Sequence, residues 1–269
     1  MKKVTIGITT YNRKNILEKM IQSLLTSDLT NAEVHIRIYD DCSTEYDSDY
    51  LKSLFPFEVA IHVNEINLKA DLNTFNMYKD FLNSNDDYFF NADSDLIFHK
   101  NWLNFALENI EKTDGVLTLY NSQLHKEKNI YENFVQKDDI GAAGTFFSRE
   151  IIKVMIENLF PEAQKTIDWS FSKLFNNKNI KILCSKNSYV QHIGFSGQNC
   201  NLSTVEYGKN FQIDSLVNGQ ILNDVLTDFS AIIPSLYTKR INEIKKSISY
   251  RLGKIIVKPF KILKKILKI

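Results

Sequence analysis

The run Tyr88-Phe89-Phe90 is wholly aromatic, and it leads into two carboxylates one residue apart, Asp93 and Asp95. Such a run reads as a short buried strand. In extended backbone, residues i and i+2 point to one side. Asp93 and Asp95 are therefore expected to present both carboxylates to one spot at the strand's carboxyl end, where open α/β sheets bind ligands. Hard divalent cations such as Mg²⁺ or Mn²⁺ take oxygen ligands, commonly shared between one or two carboxylates and a substrate phosphate. The pair suits a metal–diphosphate site. The plainer alternative is that the two aspartates cap the helix that begins near Lys100.

The stretches around this strand repeat one pattern. Val4 to Thr9 is a β-rich apolar run, followed by a turn and by Ile16, Leu17, Met20, Ile21, Leu24 and Leu25 at helical spacing. Val34 to Tyr39 alternates as a second strand and ends in Asp40 and Asp41. A short helix around Leu51 to Phe55, a third strand Val59 to Val63 and a helix Leu72 to Leu82 precede the strand that ends at Asp93. Strands alternating with helices imply βαβ units and a mostly parallel sheet covered on both faces. Further on, 115–120 and 140–147 read as strands, and 149–159 and 167–175 as helices. Residues 180–183 and 189–192 read as short strands before a polar loop with Gly194, Ser196, Gly197 and Asn199, and 211–229 as a last helix.

Charge divides the chain in two. From Lys239 to Ile269 there are 11 Lys or Arg residues and one acid, whereas the remainder is acidic, although the whole carries +1. In the last stretch Lys254, Lys258, Lys261, Lys265 and Lys268 recur every three or four residues, with isoleucines and leucines between them. This predicts a basic amphipathic helix, bent or restarted at Pro259, suited to lying on an anionic membrane surface. The acidic body or a second subunit, in a homodimer, are the other places for it. Nucleic acid is not expected, because the body is acidic and the tail has few aromatic residues. Three cysteines without metal-like spacing, and no apolar run of about 18 residues, fit a reduced cytoplasmic setting. Peripheral attachment to the inner face of the plasma membrane is compatible with it.

Thr9, Tyr11 and Asn12 follow the first strand and Asp40 and Asp41 the second, so a parallel sheet sets them along one rim with Asp93 and Asp95. Carboxylates there can accept from a base N–H or from ribose hydroxyls, and Tyr11 offers a stacking face. No glycine-rich phosphate loop follows any strand, so phosphate binding would rest on a metal.

In the order and spacing of these motifs the chain resembles nucleotide-sugar glycosyltransferases of the GT-A fold, similar to family 2. The residues that carry the resemblance are Val4 to Arg13, Tyr39 to Thr44 and Asn91 to Asp95, with Gly141 to Phe147 and Ile167 to Trp169 later; it covers about residues 3 to 195. It implies a GT-A, Rossmann-like fold for residues 1–235, with a nucleotide-binding half of about 1–98 and an acceptor half of about 99–235; the basic helical tail read from charge and spacing takes 236–269. It implies that Thr9, Tyr11 and Asp41 hold the uracil end of a UDP-sugar, that Asp93 lies near the ribose and diphosphate, and that Asp95 ligates Mn²⁺ or Mg²⁺. His192 then completes the metal site or contacts phosphate, with a structural role at a strand end as its alternative. Asp168 matches the general base on the acceptor hydroxyl, with capping of the following helix as its alternative.

The family's acidic pair is single here, since Ile167 precedes Asp168, and Cys42 replaces the glycine common in the Asp-Asp-x-Ser turn. The implied reaction is metal-dependent, inverting transfer of a hexosyl or N-acetylhexosaminyl group to a glycan or lipid-linked saccharide, as in bacterial surface polysaccharide synthesis. A nucleotidyltransferase of similar fold, or a non-catalytic protein that keeps the fold, are the competing readings.

Overall fold

A computed structural model describes residues 1–159, 166–194, 206–248, 250 and 252. The chain divides into two units, Met1–Ile221 and Leu222–Ile269. The first half of unit one follows the predicted alternation. Its elements are β1 (Lys3–Thr10), α1 (Lys14–Leu25), β2 (Glu33–Asp40), α2 (Ser48–Ser53), β3 (Ala60–Val63), α3 (Lys69–Phe81) and β4 (Tyr88–Asp93). There follow β5 (Leu96–Phe98), α4 (Trp102–Asn109), β6 (Val116–Thr118), β7 (Glu127–Ile130), β8 (Phe134–Lys137), β9 (Thr145–Ser148) and α5 (Arg149–Asn158). The last elements are α6 (Ile167–Asn177), β10 (Ile182–Ser185), β11 (Val190–His192) and α7 (Leu216–Lys246).

Nine strands form one sheet in the order β3-β2-β1-β4-β9-β6-β10-β8-β7. The pairings make every strand run one way except β9 and β8. The sheet is mostly parallel and helices cover both faces: the fold is α/β, of the GT-A type.

Strand period 2 explains the two layers of core. On β4, Phe90 packs with Leu17, Met20 and Leu24 of α1 and Trp102 of α4, whereas its neighbour Phe89 packs with Met77, Tyr78 and Phe81 of α3 and with the α5 and α6 side. Each fully buried Phe contributes about 1.5–3 kcal/mol, so this aromatic run anchors both layers. Gly7 of β1 permits the close approach of α3, because a Cβ there would stand 2.3 Å from Phe89 and 2.6 Å from the Met77 sulfur.

Several expectations need correction. Residues 140–144 are not strand. Gly144 holds φ 71, and the Thr145 amide turns back onto the Ala142 carbonyl, so the chain enters β9 only at Thr145. Strands β5, β7 and β8 were not anticipated: β5 has three residues, too few to show a period, and β7 is an edge strand of mostly polar, exposed residues. The last helix runs well beyond Phe229 and carries Pro234 inside it. The polar loop at Ser196, Gly197 and Asn199 and the lysine series from Lys254 to Lys268 lie outside the described residues. Among the described residues no helix is long and apolar enough to cross a membrane.

The Asp-Asp-x-Ser turn keeps its shape without glycine, because Cys42 itself adopts the left-handed conformation, φ 64. For a non-glycine residue this costs roughly 1–2 kcal/mol, while glycine loosens the unfolded chain by about 0.5–1 kcal/mol. Cys42→Gly is therefore expected to stabilise the protein by about 0.5–1 kcal/mol, read as a higher urea midpoint at unchanged slope.

Candidate active site

The chain leaves β1 on one side towards β2 and β3, then returns to its other side as β4. The topological switch therefore falls between β1 and β4, the point where open α/β sheets open a ligand crevice. Thr9 stands there in register with Tyr39 on one side and Asp93 on the other. Immediately after β1, Asn12 and Arg13 both take left-handed backbone, φ 53 and 57. The turn is pinned to the loop after β2: the Asn12 amide donates to Ser43 Oγ at 2.7 Å and the Thr44 amide to Asn12 Oδ1 at 2.8 Å. Arg13 is thereby aimed across the switch point. Its Nη1 donates to Asp95 Oδ2 at 2.8 Å and its Nη2 to Ser94 Oγ at 3.2 Å.

Asp95 does not continue strand β4, as the same-side argument required. It sits in the turn between β4 and β5, and a third segment fixes it there. Strand β11 pairs antiparallel with β5, setting His192 opposite Leu96. The His192 Nε2 lies 3.2 Å from Asp95 Oδ2, and the Ile193 amide donates to the Asp95 carbonyl at 2.8 Å. Gly194 leaves room for this contact, since a Cβ on it would stand 2.2 Å from Asp95 Oδ2. Burial alone would raise the Asp95 carboxyl, but His192 and Arg13 outweigh it and hold the group well below the usual carboxylate range. Burial likewise pulls His192 down, and the Asp95 charge more than offsets it, so the imidazole titrates above its ordinary value.

Asp93 responds in the opposite sense. Burial first, and then the charge of Asp95, push its carboxyl up. Its orientation is set by a chain of side chains, with the Tyr78 hydroxyl donating to Asn91 Oδ1 at 2.8 Å and Asn91 Nδ2 to Asp93 Oδ1 at 3.1 Å. Neither aspartate caps the following helix: α4 starts at Trp102 with Asn101 before it.

Asp168 reaches the same space from α6. It lies in the first turn, one residue inside the helix, so it is not the N-cap; Thr166 holds that position, and Asp71 of α3 accepts the Ile167 amide at 3.0 Å. The Ala142 amide donates to the Asp168 carboxylate. Burial, followed by the charge of Asp93, raises the Asp168 carboxyl to about 7. A group poised there accepts a proton readily at neutral pH.

The positions matched to the nucleotide lie along the same rim. Thr9 and Tyr11 are half-buried. Asp41 is buried and already engaged, with Oδ1 accepting from Asn64 Nδ2 at 2.9 Å and from the Leu68 amide at 2.7 Å, and Oδ2 accepting from the Lys69 amide at 2.8 Å. It knits the β2 turn to the start of α3, and a carboxylate has about four acceptor sites, which leaves one for a base N–H. The structure thus gathers Asp93, Asp95, His192 and Asp168, and it adds Arg13 and Gly194, which the sequence did not single out. Arg13 was visible as a cation inside the first motif; nothing local marked Gly194.

Whether these residues fit a divalent cation turns on one atom. Asp95 Oδ1 is buried and has no hydrogen-bond partner among the described residues. An orphaned carboxylate oxygen suits a hard cation. Among those residues no group of three or more His, Cys, Asp or Glu side chains is placed to hold a metal by itself. A cation held at Asp95 would thus need further oxygens from a ligand or water.

A mostly parallel sheet with a paired-aspartate turn at its switch point, and a third carboxylate near it, fits the GT-A fold. The profile of glycosyl transferase family 2 matches residues 5–146, more than half of the 269 residues. The chain belongs to this family.

Among solved structures it is similar to S. aureus TarS 1-349, at 15% identity and a TM-score of 0.53 over 71% of this chain and 60% of that one. The same protein solved in complex with UDP matches at 16% identity and TM-score 0.53, again over 71% and 60%. Its complex with UDP-GlcNAc matches at 17% identity and TM-score 0.52, over 71% and 58%. At this identity the likeness is one of fold. The chain spans about 60% of the length of those structures. No curated protein sequence matches it.

The raised Asp168 carboxyl has a consequence for stability. In the unfolded chain it titrates near 4, so its native protonation stabilises the fold below that pH, and the contribution is lost as pH rises through about 7. Asp168→Asn, uncharged throughout and still able to accept from Ala142, should match the parent near pH 4. At pH 8 it should be more stable by on the order of 1 kcal/mol, a figure discounted because the group is half-buried. Urea melts at both pH values check this.

Proposed function

We propose that the protein transfers a hexosyl or N-acetylhexosaminyl group from a UDP-sugar, with inversion, to a hydroxyl of a glycan or lipid-linked saccharide, as in bacterial surface polysaccharide synthesis. The observation that carries this reading is Asp168, half-buried, raised to about 7 and within electrostatic reach of Asp93. A base on one side and a leaving-group site on the other suit direct displacement. The acceptor oxygen gives its proton to Asp168 as it attacks the anomeric carbon, the bond to the diphosphate breaks, and the configuration inverts.

Thr9, Tyr11 and Asp41 would hold the uracil, by the hydrogen-bonding position left on Asp41 and the face of Tyr11. Asp93 would meet the ribose and diphosphate. Asp95, with His192 once the metal displaces its proton, would hold Mn²⁺ or Mg²⁺, and such a cation, when bound, neutralises negative charge on a diphosphate. Arg13 adds a fixed positive charge at the same spot, which favours the leaving group as charge develops on it.

The tail fits a membrane-surface setting. In the described part of unit two, Tyr237, Ile241, Ile244 and Ile248 are exposed and recur every three or four residues. Lys239, Arg240, Lys245 and Lys246 accompany them. A helix with an apolar stripe and basic flanks binds anionic interfaces, where a lipid-linked acceptor would be found. This reading places the protein at the inner face of the plasma membrane. Full-length protein should partition onto vesicles containing phosphatidylglycerol and lose that on deletion of 239–269; equal partition of both forms removes the membrane assignment.

Donor binding is tested without an acceptor. UDP with Mn²⁺ should raise the melting temperature more than UDP alone, by mass action, and Asp95→Asn should abolish the Mn²⁺-dependent part. In turnover, kcat/KM should rise with pH through about 7 and level off as Asp168 loses its proton, and Asp168→Asn should lower kcat by on the order of 10²–10⁴. A thermal response to another nucleotide would move the donor; no response to any would remove the transferase assignment in this form.

A further inference from the structure

Tyr120 is not used by the reading above. Its side chain is buried, 7% exposed, yet its hydroxyl has no hydrogen-bond partner among the described residues. Buried polar groups are almost always paired, and an unpaired one calls for a reason.

Sheet register gives the position. Thr145 of β9 pairs with Asn91 of β4 and with Thr118 of β6, so Asn91 and Thr118 stand at one height. Strands β4 and β6 run in the same direction, and two residues further on Tyr120 stands level with Asp93. The backbone is held there: the Leu119 amide donates to the Gly144 carbonyl at 2.8 Å, and the Leu119 carbonyl accepts from the Tyr189 amide at 2.8 Å. Gly144, at φ 71, makes room for the residue, since a Cβ on it would stand 3.1 Å from Tyr120 Cβ and 2.6 Å from Val190.

The charges around the ring place it further. Tyr120 lies within electrostatic reach of Asp95 and of Glu206, and Glu206 in turn acts on Asp168 and His192. The Glu206 segment is itself anchored, with the Tyr207 amide donating to Gln123 Oε1 at 2.8 Å and the Gly208 amide to Gln191 Oε1 at 2.9 Å. Tyr120 therefore stands at the height of Asp93 and within electrostatic reach of the leaving-group side, marked by Asp95. In a direct displacement the transferred sugar lies next to the leaving group.

We propose that the Tyr120 hydroxyl donates a hydrogen bond to an oxygen substituent of the transferred sugar, which makes Tyr120 a specificity-determining residue. This rests on the glycosyltransferase reading, and it reaches past the nucleotide and metal to the sugar itself. Because the neighbouring groups are carboxylates, the hydroxyl acts as a donor, and its natural acceptors are a ring hydroxyl or an acyl carbonyl.

The test compares wild type with Tyr120→Phe by calorimetry in Mn²⁺, using UDP, UDP-glucose, UDP-galactose, UDP-GlcNAc and UDP-GalNAc, alongside the unliganded melting temperature. The expected result is unchanged affinity for UDP and a loss of about three- to tenfold for the sugar nucleotide that wild type binds best. The unliganded variant should melt at the same temperature or higher, since no internal hydrogen bond is lost. Equal loss for UDP would assign the hydroxyl to the nucleotide or diphosphate and overturn the proposal. Unchanged affinity for every sugar nucleotide, or a lower melting temperature of the unliganded variant, would overturn it while leaving the donor reading standing. Failure of wild type to bind any of the five would remove both.

Discussion

The grip on Asp95 is the interaction on which the rest of the site depends. A buried carboxylate is costly unless paired, and removing one partner of such a set is far more damaging than the net worth of the pair. Here the partners come from distant parts of the chain: Arg13 from the turn after β1, and His192 from the end of β11. Holding them on one oxygen requires that the β1 turn, the β4–β5 turn and the β11 end all reach their final positions. The site is thus coupled to the closure of the fold, and it forms as a unit.

That coupling explains why two aspartates two residues apart behave differently. Asp95 is surrounded by cations and stays ionised. Asp93, close to that ionised group and half-buried, is pushed the other way, as is Asp168. Like charges crowded in a poorly hydrated space raise one another's carboxyls. A site that separates its carboxylates in this way assigns roles without changing residue type: the lowest stays available for positive charge, and the highest is ready to take a proton.

Much of this architecture was legible in the sequence, and the reasons are specific. Elements β1 to β4 announced themselves because each strand is an apolar run or alternates apolar with polar residues, and β1, β2 and β3 are each followed by a helix. The rim was legible too, since strand ends in a parallel sheet share one edge, and Asp41, Asp93 and Asp95 each follow such an end. What could not be read depends on contacts distant in sequence. Residues 140–144 are small and apolar enough to look like strand, yet Gly144 turns there against Val190 and Tyr120, more than 20 residues away in the chain. Strand β7 exposes three of its four residues and owes its conformation to pairing with β8. Arg13 looked like a turn cation until the left-handed backbone at Asn12 and Arg13 aimed it at Asp95. Gly194 carried no local sign, because its role is defined by an oxygen 99 residues earlier.

Two of the buried oxygens without a partner among the described residues, Asp95 Oδ1 and Tyr120 Oη, carry the synthesis one step further. A fold that satisfies Asp41 with three donors and Asp95 Oδ2 with two cations has the means to pair its buried groups. A buried acceptor beyond the end of β4 and a buried donor beyond the end of β6, both unpaired, lower stability unless a ligand supplies what they lack. An unpaired carboxylate oxygen calls for positive charge, and an unpaired hydroxyl among carboxylates calls for a neutral oxygen acceptor. A nucleotide sugar brought in with its cation offers both: the cation beside the diphosphate, and the oxygens of the sugar next to it. On the function proposed above, the site would be complementary to a nucleotide sugar through the groups it leaves unsatisfied, and the choice of one sugar over another would fall to Tyr120 rather than to the aspartates that any nucleotide sugar would meet.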